Sequence, residues 1–190
     1  MAQFDPYATS GVALGAERTI KMNFSNALFA GLLLTAMPLS AQQNASNENK
    51  SADYSSARSL AEQGSAVAQN NLGAMYAGGS GVTKSDTEAA RWFRLAADQG
   101  FAEAQFNLGL MYSKGIGLAK NDVEAARWYQ RAADQGLAVA QNSLGAMYGK
   151  GRGVAKNHLE AVRLYRLAAD QGLATAQYNL GVMYAVSVVR

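Results

Sequence analysis

The chain has 190 residues with a formal net charge of +3, no cysteine and a single histidine. That length allows one ordinary domain with a real core, and the charge falls far short of the dense basic stripe of a dedicated nucleic-acid binder. The missing cysteines exclude disulfides, thiolate nucleophiles, iron–sulfur ligation, thiolate zinc sites and a lipid carried on cysteine, and His158 alone cannot build a multi-histidine metal site, so no metal or cofactor is expected.

The first feature in chain order is the stretch NALFAGLLLTAMPLSAQQ, nearly uninterrupted apolar from Ala27 to Ala36 and followed by Pro38 and the small-residue step Leu39-Ser40-Ala41. It is too short to span a bilayer and suits the apolar region of a secretory signal cleaved after Ala41. A start at Met1 keeps Arg18 and Lys21 ahead of the run but makes a long leader, whereas a start at Met22 leaves no Lys or Arg there. With either start, residues 1–41 are expected to be a leader removed on export to the periplasm or beyond, meeting the membrane only through this signal. A buried helix is the competing reading of the run. Residues 42–52, QQNASNENKSA, then read as a polar linker without apolar periodicity.

Beyond the linker the chain repeats itself. Gly64, Gly100, Gly136 and Gly172 recur every 36 residues, and the same shift carries Leu72-Gly73 onto Leu108-Gly109, Leu144-Gly145 and Leu180-Gly181. It also carries Met75-Tyr76 onto Met111-Tyr112, Met147-Tyr148 and Met183-Tyr184. A fixed period of this length signals stacked structural units, each burying a face against the next copy. The expected organisation is a half-unit at 53–64, full units at 65–100, 101–136 and 137–172, and a final half-unit with its tail at 173–190.

Within one unit, Ala104, Leu108 and Met111 stand at helical spacing, as do Ala125, Trp128, Tyr129 and Ala132 in the second half, so each unit is predicted to be two amphipathic helices. The glycine-bearing stretches GGSGVTK, KGIGLAK and KGRGVAK separate them. Ser85, Asn121 and Asn157 each precede a glutamate three residues on (Glu88, Glu124, Glu160), the pattern of a reciprocal capping box at the start of the second helix. The DQG glycine closes that helix with a left-handed residue. Glycines in register at 73, 109, 145 and 181 weaken the first helices by roughly 1 kcal/mol each relative to alanine, a cost that close helix packing must offset.

These units resemble the Sel1-like repeat family, the longer relatives of tetratricopeptide repeats. The matching residues are Ala104-Gln105, Leu108-Gly109, Met111-Tyr112, the Gly115-x-Gly117 loop, Ala125-Ala126, Trp128-Tyr129 and Ala132-Ala133-Asp134-Gln135-Gly136. The resemblance implies an all-α fold, an α-solenoid in which antiparallel helix pairs stack as a right-handed superhelix. It also implies a non-catalytic scaffold that binds protein partners.

If that geometry holds, the first helices line a concave groove. The tetratricopeptide pattern assigns to it Asn70, Glu103, Phe106, Leu110, Asn142, Thr175 and Tyr178. Such a surface suits an extended peptide or a partner helix with the aromatics as anchors, while interhelix packing is the bland alternative for Phe106 and Tyr178. No lysine or arginine pair recurs at these positions, so a carboxylate clamp is not indicated.

At the ends, Ser56 stands where Trp92 and Trp128 stand, a polar substitution suited to an N-terminal cap. Leu173 to Tyr184 reads as a first helix followed by AVSVVR in place of the glycine loop, leaving an apolar face. Either the array is a truncated relative of longer ones, or that face meets a ligand or another copy in a homo-oligomer.

The arginine row Arg91, Arg94, Arg127, Arg131, Arg163 and Arg166 reads as a solvated face with local pairs, Arg94 with Asp98, Arg166 with Asp170 and Arg131 with Asp134, rather than a nucleic-acid surface. The glycine loops lack P-loop spacing, although their lysines make one edge of the array mildly basic. Some secreted, cysteine-rich relatives are associated with penicillin binding or hydrolysis, yet no serine here has a lysine three residues on. His158, next to the cap Asn157, reads as an exposed first-turn residue. The function expected is therefore an exported, non-catalytic interaction scaffold. The runner-up is a cell-envelope enzyme or accessory acting on peptidoglycan or β-lactam-type substrates.

Overall fold

Residues 52–188, described in a computed structural model, form eight helices and no strand. The leader expected over 1–41 and the linker as far as residue 51 lie outside the described residues. Helix α1 spans 52–62. It is followed by α2 (Ala66–Gly78), α3 (Asp86–Asp98), α4 (Ala102–Lys114), α5 (Asp122–Asp134), α6 (Ala138–Lys150), α7 (His158–Asp170) and α8 (Ala174–Val188). Each helix from α2 onward packs on its sequence neighbours, the α-solenoid that the repeat predicts. No helix among the described residues is long and apolar enough to cross a membrane.

The second helices stop by the mechanism their sequence announces. Gly136 takes φ +87°, its N–H donates to the Ala133 carbonyl at 2.9 Å, and the Leu137 N–H donates to Ala132 at 3.2 Å. This crossed pair satisfies carbonyls that a helix end otherwise leaves orphaned. Phe101 and Leu173 repeat the arrangement after α3 and α7.

Their starts are built differently from the expected capping box. Ser85, Asn121 and Asn157 do cap, accepting from the backbone N–H of Glu88, Glu124 and Glu160. The glutamates do not reach back. The cap N–H groups donate instead to the carbonyls of Tyr76, Tyr112 and Tyr148, each at 2.9 Å, which ties each second helix to its own first helix. The freed carboxylates pair with arginines one turn on, Glu88 with Arg91, Glu124 with Arg127 and Glu160 with Arg163. These pairs replace the predicted arginine–aspartate set. Arg94 and Arg166 cross to the hydroxyls of Tyr112 and Tyr184, and Arg131 lies 4.5 Å over the Trp128 ring. A tyrosine hydroxyl on the next helix and an indole face outcompete an aspartate in solvent, where an exposed pair is worth at most about 1 kcal/mol.

Neighbouring aromatic positions on the second helices do opposite jobs. Trp92 packs among Ala61, Ala68 and Leu72, and Trp128 among Ala89, Phe93, Ala97 and Leu108, so each reaches back to the preceding unit. Leu164 does the same against Ala125, Ala133 and Leu144. Phe93, Tyr129 and Tyr165 instead cover Gly73, Gly109 and Gly145 of their own unit's first helix. The mid-helix glycines therefore make room for a ring, and burying that ring offsets their propensity cost.

The turns lock successive units. Gly153 has φ +67°, and a Cβ there would stand 2.0 Å from the carbonyl oxygen of Asp122, at the start of the previous unit's second helix. Gly117 makes the same approach to Asp86. No side chain fits between two backbones that close.

A buried polar seam joins the units as well. Gln105, 4% exposed, donates to the Ala97 carbonyl at 3.2 Å and accepts from Gln135 at 2.8 Å, while Gln135 also reaches the Gly100 carbonyl at 2.9 Å. Gln69 with Gln99 and Gln141 with Gln171 repeat the relay. At the ends, Ser56 is exposed as expected of a cap. α8 runs on past Tyr184 to Val188, through the residues that stand in place of the glycine loop. No glycine interrupts residues 185–188, so the helix continues through them.

Candidate functional site

The seven residues assigned to a groove from the sequence lie on α2, α4, α6 and α8. Asn70, Phe106 and Asn142 stand in one register with Tyr178, and the first three are half-buried whereas Tyr178 is 73% exposed. Glu103 and Thr175 are exposed and Leu110 is half-buried.

The structure brings some of these together with residues that the sequence did not single out. The Asn107 amide donates to Asn70 at 3.1 Å, and Asn179 donates to Asn142 at 2.9 Å, so each asparagine pair bridges adjacent first helices. Phe106 leans on Tyr129 with ring centroids 5.6 Å apart and borders the core around Leu144. Packing thus holds much of the Phe106 ring, while Tyr178 is exposed.

Between units two and three the face deepens into a hollow of about 200 Å³ lined by Ser113, Tyr129, Asn142, Ala146, Lys150 and Arg152, among others. Arg152 enters from the turn after α6. Its guanidinium donates to the Asp122 carboxylate at 2.7 Å and to the Ser113 hydroxyl at 3.4 Å. That ion pair, led by the hydrogen bond itself, raises the arginine's pKa and holds the Asp122 carboxyl below its ordinary value. Burial pushes the Tyr129 phenol up to about 12, so it presents a neutral hydroxyl at physiological pH.

Lys150 and Arg152 entered the sequence reading only as part of the basic edge at the glycine loops, because neither is a groove position in the helical pattern. The signal was the change from KGIGLAK to KGRGVAK, which puts an arginine where unit two has Ile116. The hollow thus offers hydroxyl and amide hydrogen bonding beside two cations. Among the described residues no group of acidic and histidine side chains could hold a metal ion.

These repeated helix pairs match the profile of the Sel1 repeat at residues 66–101, 102–137, 138–173 and 174–187. The chain belongs to the Sel1 repeat family. Sel1 repeat proteins are generally protein–protein interaction scaffolds and typically non-catalytic. A Sel1 repeat protein from Oxalobacter formigenes is 46% identical with a TM-score of 0.62, over 64% of this chain and 50% of that one. The antigen c5321 of uropathogenic Escherichia coli, described as a protective antigen displaying an SLR fold, is 42% identical with a TM-score of 0.67. That match covers 69% of this chain and 28% of c5321, so the present chain spans half or less of these two relatives. The cysteine-rich protein B of Helicobacter pylori shares the fold at 22% identity and a TM-score of 0.54, over 68% of this chain and 96% of its own. No curated protein matches the chain.

Proposed function

We propose that this Sel1 repeat chain is an exported, non-catalytic scaffold whose first-helix face holds an extended peptide or a helix of a protein partner. The observation that carries this reading is the contrast between faces. The joint residues recur unit after unit, whereas the register of Asn70, Phe106, Asn142 and Tyr178 changes chemistry at each step and ends on a tyrosine 73% exposed. Exposed aromatics at such a position act as anchors for a partner. The hydroxyls and amides beside them suit a peptide backbone. The apolar run from Ala27 to Ala36 and the protective-antigen relative support a place outside the cytosol.

The test is affinity capture from envelope extract with the parent chain and with a Glu103→Ala, Tyr178→Ala variant, both positions being exposed so that melting should be unchanged. A partner identified by mass spectrometry, retained by the parent and lost by the variant, is the expected result. Equal capture by both overturns the first-helix face as the binding surface. Labelling of the purified protein by a serine-reactive probe overturns the non-catalytic assignment, and a mature N-terminus other than Gln42 overturns the processing site.

A further inference from the structure

A second, larger cleft lies away from the first-helix face, between α5 and the turn joining α6 to α7. Its volume is about 550 Å³, within the range of sites that take a small ligand or an anchoring side chain. Ala126 and Leu144, both buried, floor it; Val123 and Val154 flank it; Arg127 and Arg131 stand at its edge with Gln130 between them.

Unit two departs from its neighbours here, and in two adjacent residues at once. Units one and three carry Arg94-Leu95 and Arg166-Leu167, whereas unit two carries Gln130-Arg131. Arg94 and Arg166 each cross from their helix to a tyrosine hydroxyl on the next first helix, Tyr112 and Tyr184. Gln130 makes no such crossing: its amide turns along its own helix to Asp134 at 2.7 Å. The arginine-to-tyrosine strap of the flanking units therefore has no counterpart at Gln130 beside this cleft, and a cation replaces the neighbouring leucine.

The charges at the edge are available. Arg127 gives one N–H to Glu124 at 2.9 Å and keeps the rest of its donors on a side chain 71% exposed. The Arg131 guanidinium lies 4.5 Å over the Trp128 ring, and among the described residues no carboxylate forms an ion pair with it. Two guanidinium groups four residues apart on one helix thus converge beside an apolar hollow, a pairing that calls for an apolar group with a carboxylate attached close by.

We propose that this cleft is a second recognition site, and that it takes the C-terminal residue of a partner polypeptide when that residue is apolar. A chain end places a carboxylate on the same carbon as the side chain, so one residue can fill the hollow and meet the arginines together. Acidic side chains elsewhere in a chain sit apart from their apolar neighbours by at least a backbone step. The site does not depend on the first-helix face.

The test uses N-acetyl-leucine as the probe and N-acetyl-leucinamide as its neutral counterpart, titrated into the isotopically labelled full chain and followed by NMR. A ligand of this size in such a cleft binds with a dissociation constant on the order of a millimolar. The expected result is saturable shifts at Val123, Ala126 and Val154, at least about threefold weaker binding of the amide, and loss of that difference in Arg131→Leu. A second variant, Gln130→Arg, restores the residue of units one and three and should abolish binding of both probes. Both substitutions install residues that the flanking units already carry at those positions, so melting temperatures should stay at the parent value. Equal binding of acid and amide to the parent overturns the proposal. So do saturable shifts confined to the first-helix face, or no saturable shift up to roughly 20 mM probe.

Discussion

The ring of Tyr129 lies so close to Gly109 that a Cβ on that glycine would stand 2.7 Å from Tyr129 Cδ1 and 3.3 Å from the Ala125 carbonyl oxygen. Gly109→Ala should therefore displace the ring from a packed core and cost about 1–3 kcal/mol. Gly181, at the same register in α8, would place its Cβ with nothing within 4 Å. Gly181→Ala should instead stabilise by roughly 0.5–1 kcal/mol through helix propensity. Urea unfolding of both variants checks the opposite signs, and destabilisation by Gly181→Ala would mean that something covers α8 in solution.

Trp92 and Trp128 bury an indole N–H for which no acceptor is present among the described residues, while Leu164 fills the equivalent position with no polar atom at all. Trp128→Ala should open a cavity between units and cost about 3–5 kcal/mol. Trp128→Leu should cost about 1–2 kcal/mol, because it keeps an apolar joint and removes a buried donor without a partner. Thermal and chemical denaturation of the pair measure the difference. Equal losses would place the tryptophan's contribution in its ring contacts alone.

The glutamine seam makes a prediction that depends on position along the array. Gln105→Ala leaves the Ala97 carbonyl without its side-chain donor and removes an acceptor from Gln135, and should cost about 1–3 kcal/mol. Gln177 holds the Ala169 carbonyl only at 3.4 Å and is exposed. Its replacement by alanine should stay within about 0.5 kcal/mol. Hydrogen exchange at the α3–α4 junction in Gln105→Ala would locate the loss.

Acid should weaken the joint between units two and three. Asp122 is held below its ordinary value of about 3.8 by its bond to Arg152, so its contribution is complete above that value. It is lost as the pH falls through the lower, folded-state pKa. Glu160, lowered mainly by its bond to Arg163, adds to the same acid limb. Asp122→Asn should leave that limb shallower, by less than about 1 kcal/mol because the pair is partly exposed. Melting temperatures of parent and variant from neutral pH to below pH 3 should converge at the acid end.

Much of the fold is legible along the chain because its causes are local. The 36-residue period, the two helices per unit, the serine and asparagine caps and the glycine that closes each second helix all follow from residues within a turn or two of one another. The shared register of Asn70, Phe106, Asn142 and Tyr178 was legible too, since the 36-residue period puts them at one position of successive first helices.

The sequence by itself determined the units and their order; only the tertiary structure decided how each polar or aromatic side chain was used. Glu124 could have capped its own helix, but the Tyr112 carbonyl took the Asn121 N–H and left the carboxylate to Arg127. Phe106 could have faced a ligand freely, but the second helix of its own unit brought Tyr129 against it. Gln130 could have reached across as Arg94 does, but its shorter side chain found Asp134 first. In each case one of the competing partners lies on another helix, and its distance depends on how one helix settles on the next. That settling follows from ring-on-glycine packing and backbone-to-backbone turns, which periodicity can announce but cannot measure.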